Sequence, residues 1–235
     1  TNTAFSATLA SSAAAGSYSV EVTQLAAAQS LLSPKVGSKD TELGDSSMST
    51  RTLTITQPGQ KDPLTITLAS DKTSLADVRD AINAKQGSVS ASIIKADDNS
   101  YYLALTSRDT GTANEMTITT DDSQLAQYVS YNPSSATNVM SEQVPAADAK
   151  VNINGIEIVR SSNAITDAPE GVTLNLTKTN KGSPETLSIV KDNQPMTDAI
   201  QAFVDAYNSL QTTIANQTKY TAVDQGSTNQ DSSNG

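Results

Sequence analysis

Alternation of apolar and polar residues opens the chain. In SYSVEVTQ, Tyr18, Val20 and Val22 alternate with Ser19, Glu21 and Thr23, the period of a strand with one buried face. The same period returns in RTLTITQ (51–57), PLTITLA (63–69), SVSASIIKA (88–96), YYLALTS (101–107) and EMTITT (115–120), with Thr on the wet face and turn residues between. Gln57-Pro58-Gly59-Gln60 predicts a type II turn with Gly59 at positive φ, and Asp97-Asp98-Asn99-Ser100 predicts a polar hairpin loop. Between the second and third of these strands, SLADVRDAINAKQG switches period. Leu75, Val78 and Ile82 fall at helical spacing, Ser74 and Asp77 form a capping-box-like start, and Gly87 offers the stop. Residues 50–120 therefore read as a compact β-β-α-β-β-β unit followed by a short helix near 122–129.

The stretch YNPSSATNVMSEQVPAADAK (131–150) has two Pro and little periodicity and reads as a connector. Strand patterns resume in VNINGIEIV (151–159), with a turn or bulge at Asn154-Gly155, then in GVTLNLTK (171–178) and ETLSIVKD (185–192). These resemble the opening strand more than the middle ones. The expected architecture is α+β and mostly β: a discontinuous β-rich domain from 1–44 plus 142–192, an α+β domain of 48–131 inserted in it, a long amphipathic helix over 195–220, and a polar tail over 221–235. In that helix Met196, Ile200, Phe203, Tyr207, Leu210 and Ile214 step by alternating fours and threes, a heptad seam that needs a facing helix. No second helix of that length is predicted. The seam is expected either to lie on the sheet domain or to meet a helix outside these residues or in another subunit.

Composition narrows the chemistry. There is no Cys and no His, so disulfides, thiolate sites and the commonest general base and metal ligand are excluded. Only 4% of residues are aromatic, which leaves the core to Val, Ile, Leu, Ala and Thr methyls. With 15 basic and 25 acidic residues the net charge is −10, which disfavours nucleic acid and anionic lipid, and no apolar run is long enough for a membrane span. The start at Thr1 reads as that of an excised fragment. The acidic pairs Asp97-Asp98 and Asp121-Asp122 lack the spacing of a calcium loop and read as turn and helix-cap residues. No nucleotide-binding or nucleophile motif occurs, so neither catalysis nor a cofactor is expected. Tyr101, Tyr102, Tyr128 and Tyr131 are candidate interface residues, with core packing as the competing role.

Four segments in order, GSYSVEVTQLAAAQSL, SLADVRDAINAKQGSVSASIIKADDNSYYLALTSRDTG, VNINGIEIVRSSNAITDAPEGVTLNLTK and FVDAYNSL, closely resemble the bacterial flagellar filament cap family, also called hook-associated protein 2 or FliD. The second resembles the Asn-containing motif of flagellin and hook proteins, centred on Ala81-Ile82-Asn83. The resemblance implies a structural protein at the distal, extracellular tip of the flagellum. It implies a ring-like homo-oligomer that retains flagellin and promotes its insertion, contact with the filament end through parts missing here, and an export chaperone as a further partner. It also implies two head domains and a helical leg begun by the 195–220 helix. The competing reading is a surface adhesin or glycan-binding module of a bacterial appendage.

Overall fold

The computed structural model describes residues 3–219, so the tail expected over 221–235 and the end of the helix expected at Tyr220 lie outside the described residues. Residues up to Ile189 form one compact unit and those from Val190 onward another. In chain order the elements of the first are β1 (Phe5–Leu9), β2 (Gly16–Gln24), β3 (Ser30–Leu32), β4 (Thr50–Thr56), β5 (Leu64–Ala69), α1 (Leu75–Ala84), β6 (Val89–Asp97), β7 (Ser100–Ser107), β8 (Thr117–Thr120), α2 (Ala126–Val129), β9 (Ser141–Val144), β10 (Ala149–Ile153), β11 (Ile156–Arg160), β12 (Ala164–Ile165), β13 (Val172–Leu176) and β14 (Glu185–Ile189). The second unit carries α3 (Gln194–Gln217).

The first unit has two hydrophobic cores. One lies between a sheet ordered β11-β10-β2-β14 and a sheet ordered β1-β13-β12, and is filled by Val20, Val22, Val151, Ile153, Ile165 and Leu174 among others. Thus the opening strand and the strands after residue 149 share one core although over a hundred residues separate them. Asn154 and Gly155 have φ of 52° and 87°, the paired left-handed values of a tight hairpin turn, which aligns β10 with β11 in register Ile153↔Ile156.

The other core lies under sheets ordered β6-β7-β3-β9 and β5-β4-β8. Helix α1 packs against β6 and β5 with Leu75, Val78 and Ile82 fully buried, the face its sequence spacing predicts. Ser74 caps it, its hydroxyl accepting from the Asp77 N–H at 3.2 Å. Asn83 clasps β6: its side-chain amide donates to the Ala91 carbonyl at 2.8 Å and its Oδ1 accepts from the Ala91 N–H at 2.9 Å.

Several local expectations are corrected. The helix ends at Ala84 with Lys85 as its cap, and the left-handed residue that turns the chain is Gln86, with φ of 49°, rather than Gly87, where a Cβ would come 3.0 Å from Leu64 Cδ1. The turn at 57–60 closes through the Gln60 N–H to the Gln57 carbonyl at 3.0 Å, but Gly59 lacks positive φ, so it is not type II. Gly59 is small for another reason: its N–H donates to the Ala113 carbonyl at 2.7 Å, and a Cβ would sit 3.1 Å from that of Ala113. The supposed connector 131–150 contains β9, which pairs with β3. Residues 30–43, grouped by pattern with the first core, send Leu31, Val36 and Leu43 into the second. Strands of three or four residues carry too little alternation to reveal their sheet.

Candidate functional site

No described helix is long and apolar enough to cross a membrane. Among the described residues no three metal-ligating side chains converge. The acidic pairs find protein partners instead: Asp97 Oδ1 accepts from the Asn99 N–H at 2.9 Å, Asp98 pairs with Lys95 at 2.7 Å, and Asp121 Oδ1 accepts from the Thr52 N–H at 2.8 Å. Asn99 and Ser100 donate to Asp97 and hold its carboxyl below the usual range.

Asp122 belongs to a buried polar centre. Its Oδ2 lies 2.7 Å from Arg51 Nε, and both side chains are fully buried. The two terminal guanidinium nitrogens donate to the carbonyls of Ala69 at 2.8 Å, Asp45 at 2.6 Å and Met48 at 3.1 Å. The carboxylate accepts from the N–H groups of Asp45, Gln124 and Leu125 at 2.9, 2.9 and 3.1 Å. Burial pushes the Asp122 carboxyl up, but those three N–H groups, with the guanidinium, outweigh it and hold it below the ordinary value. Gly44 closes the lid, since a Cβ there would fall 2.6 Å from Asp122 Oδ2 and 2.8 Å from Thr73 Cγ2. Sequence reading missed this centre, although a signal was present. Period-2 alternation in RTLTI puts Arg51 on the same face as Leu53 and Ile55, and a charge on an apolar face calls for a buried partner.

The tyrosines divide. Tyr131 is buried in the second core, with its backbone N–H and carbonyl bridged to Ile118, so it serves packing rather than an exposed interface. Tyr101 and Tyr128 are half-buried against the same core, and Tyr102 is half-buried on β7. Lys95 Nζ stands 5.9 Å from the Tyr101 ring centroid, within cation–π range. Burial, then the charge and hydrogen bond of Glu142, push the Tyr131 hydroxyl up to about 12. The neutral phenol is therefore the form the fold favours. Its stabilisation is present below the unfolded tyrosine pKa of about 10 and is lost as pH rises from there towards 12. In an ultraviolet titration of phenolate, one of the seven tyrosines should ionise late or only with unfolding, and Tyr131→Phe should remove that step. Seven equivalent ionisations would contradict it.

The predicted seam lies along one side of α3. Met196, Ile200, Phe203, Tyr207, Leu210 and Ile214 are all exposed, from 46% at Ile214 to 71% at Phe203. Val204, also exposed, widens the stripe and was not singled out by the heptad spacing. The helix begins at Gln194, one residue before Pro195, whose missing N–H costs nothing in a first turn. Its polar side is laced by Gln194–Asp198 and Gln201–Asp205 contacts, both 2.8 Å, one turn apart. Each large side chain of the stripe withdrawn from water would contribute roughly 1.5–3 kcal/mol.

Comparison with known proteins agrees on one origin. Residues 146–235 match the family model for the flagellar hook-associated protein 2 C-terminus, and residues 52–109 match that for the flagellin hook IN motif. The crystal structure of the D2-D3 domains of the flagellar cap protein FliD from Escherichia coli superposes with a TM-score of 0.76 at 41% identity, covering 81% of this chain and 96% of that one. The chain belongs to the flagellar hook-associated protein 2 family. The longer FliD D1-D2-D3 structure from Escherichia coli gives a TM-score of 0.79 at 42% identity, over 93% of this chain and 61% of that one. Flagellar hook-associated protein 2 of Xenorhabdus nematophila is 43% identical over 92% of this chain, and the chain spans half of that relative's length. These relatives are structural components of the flagellum, and none of this supports the adhesin reading. The family motif acquires a structural meaning: Ile82 is a core anchor of the second lobe and Asn83 the clasp that fixes α1 to β6.

Proposed function

We propose that this chain is the head and the beginning of the leg of an extracellular cap at the distal tip of the flagellar filament, one that retains flagellin subunits and promotes their insertion. The supporting observation is the superposition on the D2-D3 domains of a flagellar cap protein over 96% of that structure at 41% identity. The two cores are read as two head domains, and α3 as the start of a leg whose partner helix lies outside these residues. Met196, Ile200, Phe203, Tyr207, Leu210 and Ile214 are the residues assigned to that packing, and Tyr101, Tyr102 and Tyr128 remain for contacts between neighbouring heads. The working form is a ring-like homo-oligomer that meets flagellin and the filament end. An export chaperone is a further partner, with neither nucleic acid nor membrane insertion involved.

The test is a chimera, in which this chain replaces the matching segment of the Escherichia coli relative in a strain lacking its own cap. Filament growth should be restored, whereas a strain without the chimera should shed flagellin into the medium. Phe203→Asp together with Leu210→Asp should abolish growth while leaving the heads folded and the protein exported. A chimera that is exported and folded but grows no filament would overturn the cap reading. Normal filaments with the double variant would overturn the role given to the seam.

A further inference from the structure

Two chain segments cross between the cores, 25–29 and 145–148, and between the last sheet pairs on either side, Gln24↔Lys150 and Ser30↔Val144, they are joined by one bridge at Ala27↔Ala147, with bonds of 2.9 and 3.2 Å. A two-stranded ribbon that short is a natural hinge. It is not alone. The loop after β7, residues 108–114, belongs to the second core's lobe yet reaches back onto the first. The Gly111 N–H donates to the Ala27 carbonyl at 3.1 Å. The backbone N–H and hydroxyl of Thr112 donate to the two oxygens of Asp148, at 2.9 and 2.8 Å. The Thr110 hydroxyl donates to the Ser161 carbonyl at 2.5 Å, and the Asn114 amide ties back to the Thr110 carbonyl at 2.8 Å, fixing the loop's own shape.

Gly111 shows how close this approach is. Its φ is +102°, and a Cβ would lie 2.6 Å from Ser161 Cβ and 2.9 Å from Asp148 Oδ1. Only glycine fits that backbone and that gap. On the receiving side, Asn163 is held by the Ala26 N–H and carbonyl at 2.8 and 2.9 Å, and Gln24 Nε2 donates to the Asp148 carbonyl at 2.8 Å. The receptor for the loop is therefore itself pinned to the crossing ribbon.

We propose that residues 108–114 are a strap that locks the hinge at Ala27/Ala147, so that the two lobes move as one stiff body, with Asp148 as the positioning residue and Gly111 as the point of closest approach. Without the strap the lobes swing about the ribbon. The inference concerns the fold alone and stands whether or not the chain works at a filament tip.

The chain has no Cys, so spin labels can be placed at will through Asp71→Cys on the second lobe and Glu157→Cys on the first, both exposed positions. The otherwise intact chain should give one narrow inter-label distance. Asp148→Ala, which removes both Thr112 bonds, and Gly111→Val, which drives the loop off Ser161, should each broaden that distribution and shift its mean. Amide exchange on β2 and β7, followed in the same samples, should show that each core stays protected. A broad distance in the chain without strap mutations overturns the proposal before any variant is made. So does a distance that stays narrow in both variants with both cores protected. Loss of protection throughout one lobe on Asp148→Ala would make the contact a requirement for folding rather than a strap, and would overturn it as well.

Discussion

Asp122→Ala should lower unfolding stability by about 3–5 kcal/mol, measured by urea denaturation, because it leaves the Arg51 guanidinium buried without its counter-charge. Three backbone N–H groups, of Asp45, Gln124 and Leu125, lose their acceptor at the same time. Asp122→Asn keeps a carbonyl oxygen for some of those donors and should cost less than the alanine, although it too leaves Arg51 uncompensated. The pH dependence has a definite sign. The carboxyl is held below its unfolded value, so its stabilisation is complete above about pH 4 to 5 and drains away as the pH falls through the unfolded pKa of about 3.9 towards the lower folded one. The stability gap between the parent chain and Asp122→Ala should therefore narrow in acid. A cost below about 1 kcal/mol would mean that the pair is solvated like a surface ion pair, and a gap that widens as pH drops would mean that burial outweighs the N–H groups and raises the carboxyl instead.

Ile82→Ala should cost about 2–5 kcal/mol, the range for a buried aliphatic side chain cut back in a core that cannot collapse around the void. The site is a demanding one: Ile82 shares the buried side of α1 with Leu75 and Val78, and that helix covers β5 and β6. Asn83→Ala tests the other half of the motif. It leaves the N–H and carbonyl of Ala91 without the Asn83 amide and should cost about 1–3 kcal/mol, less than the isoleucine. Equal effects, or an Asn83 variant worse than Ile82→Ala, would mean that the clasp rather than the core anchor dominates the motif. Calorimetry or denaturant titration of both variants decides the order.

What the sequence determined by itself is what depends on neighbours along the chain. Alternation placed β2, β4 to β8, β10, β11, β13 and β14 to within a few residues, because side chains on a strand change face at every step. Helical spacing found α1 and its buried side, Ser74 found its cap, and the stepping of Met196 to Ile214 found the apolar stripe of α3. The family motif was legible in the same way, since Ile82 and Asn83 act through one helix and the strand that follows it.

What only the tertiary structure decided is what depends on residues far apart in sequence. Strands β3, β9 and β12, of two to four residues, are too short to announce themselves: β3 is held by the edge of β7, β12 by that of β13, and β9 pairs in turn with β3, while β1, although it alternates, is assigned to its sheet only by pairing with β13. Tyr131 could not be told from an exposed tyrosine until Ile118 and Glu142 were seen beside it. Gly44 and Gly111 were silent as well, and Gly59 was marked for a positive φ it does not have, because the groups that crowd a Cβ there, Asp122, Ser161 and Ala113, come from other parts of the chain. Local pattern records which face of an element is apolar, but not which distant backbone will press against it. The Arg51–Asp122 centre and the Asp148 strap are of that second kind: each joins segments separated by 71 and 36 residues, and their energies arise from desolvation and close approach that exist only once the sheets have assembled.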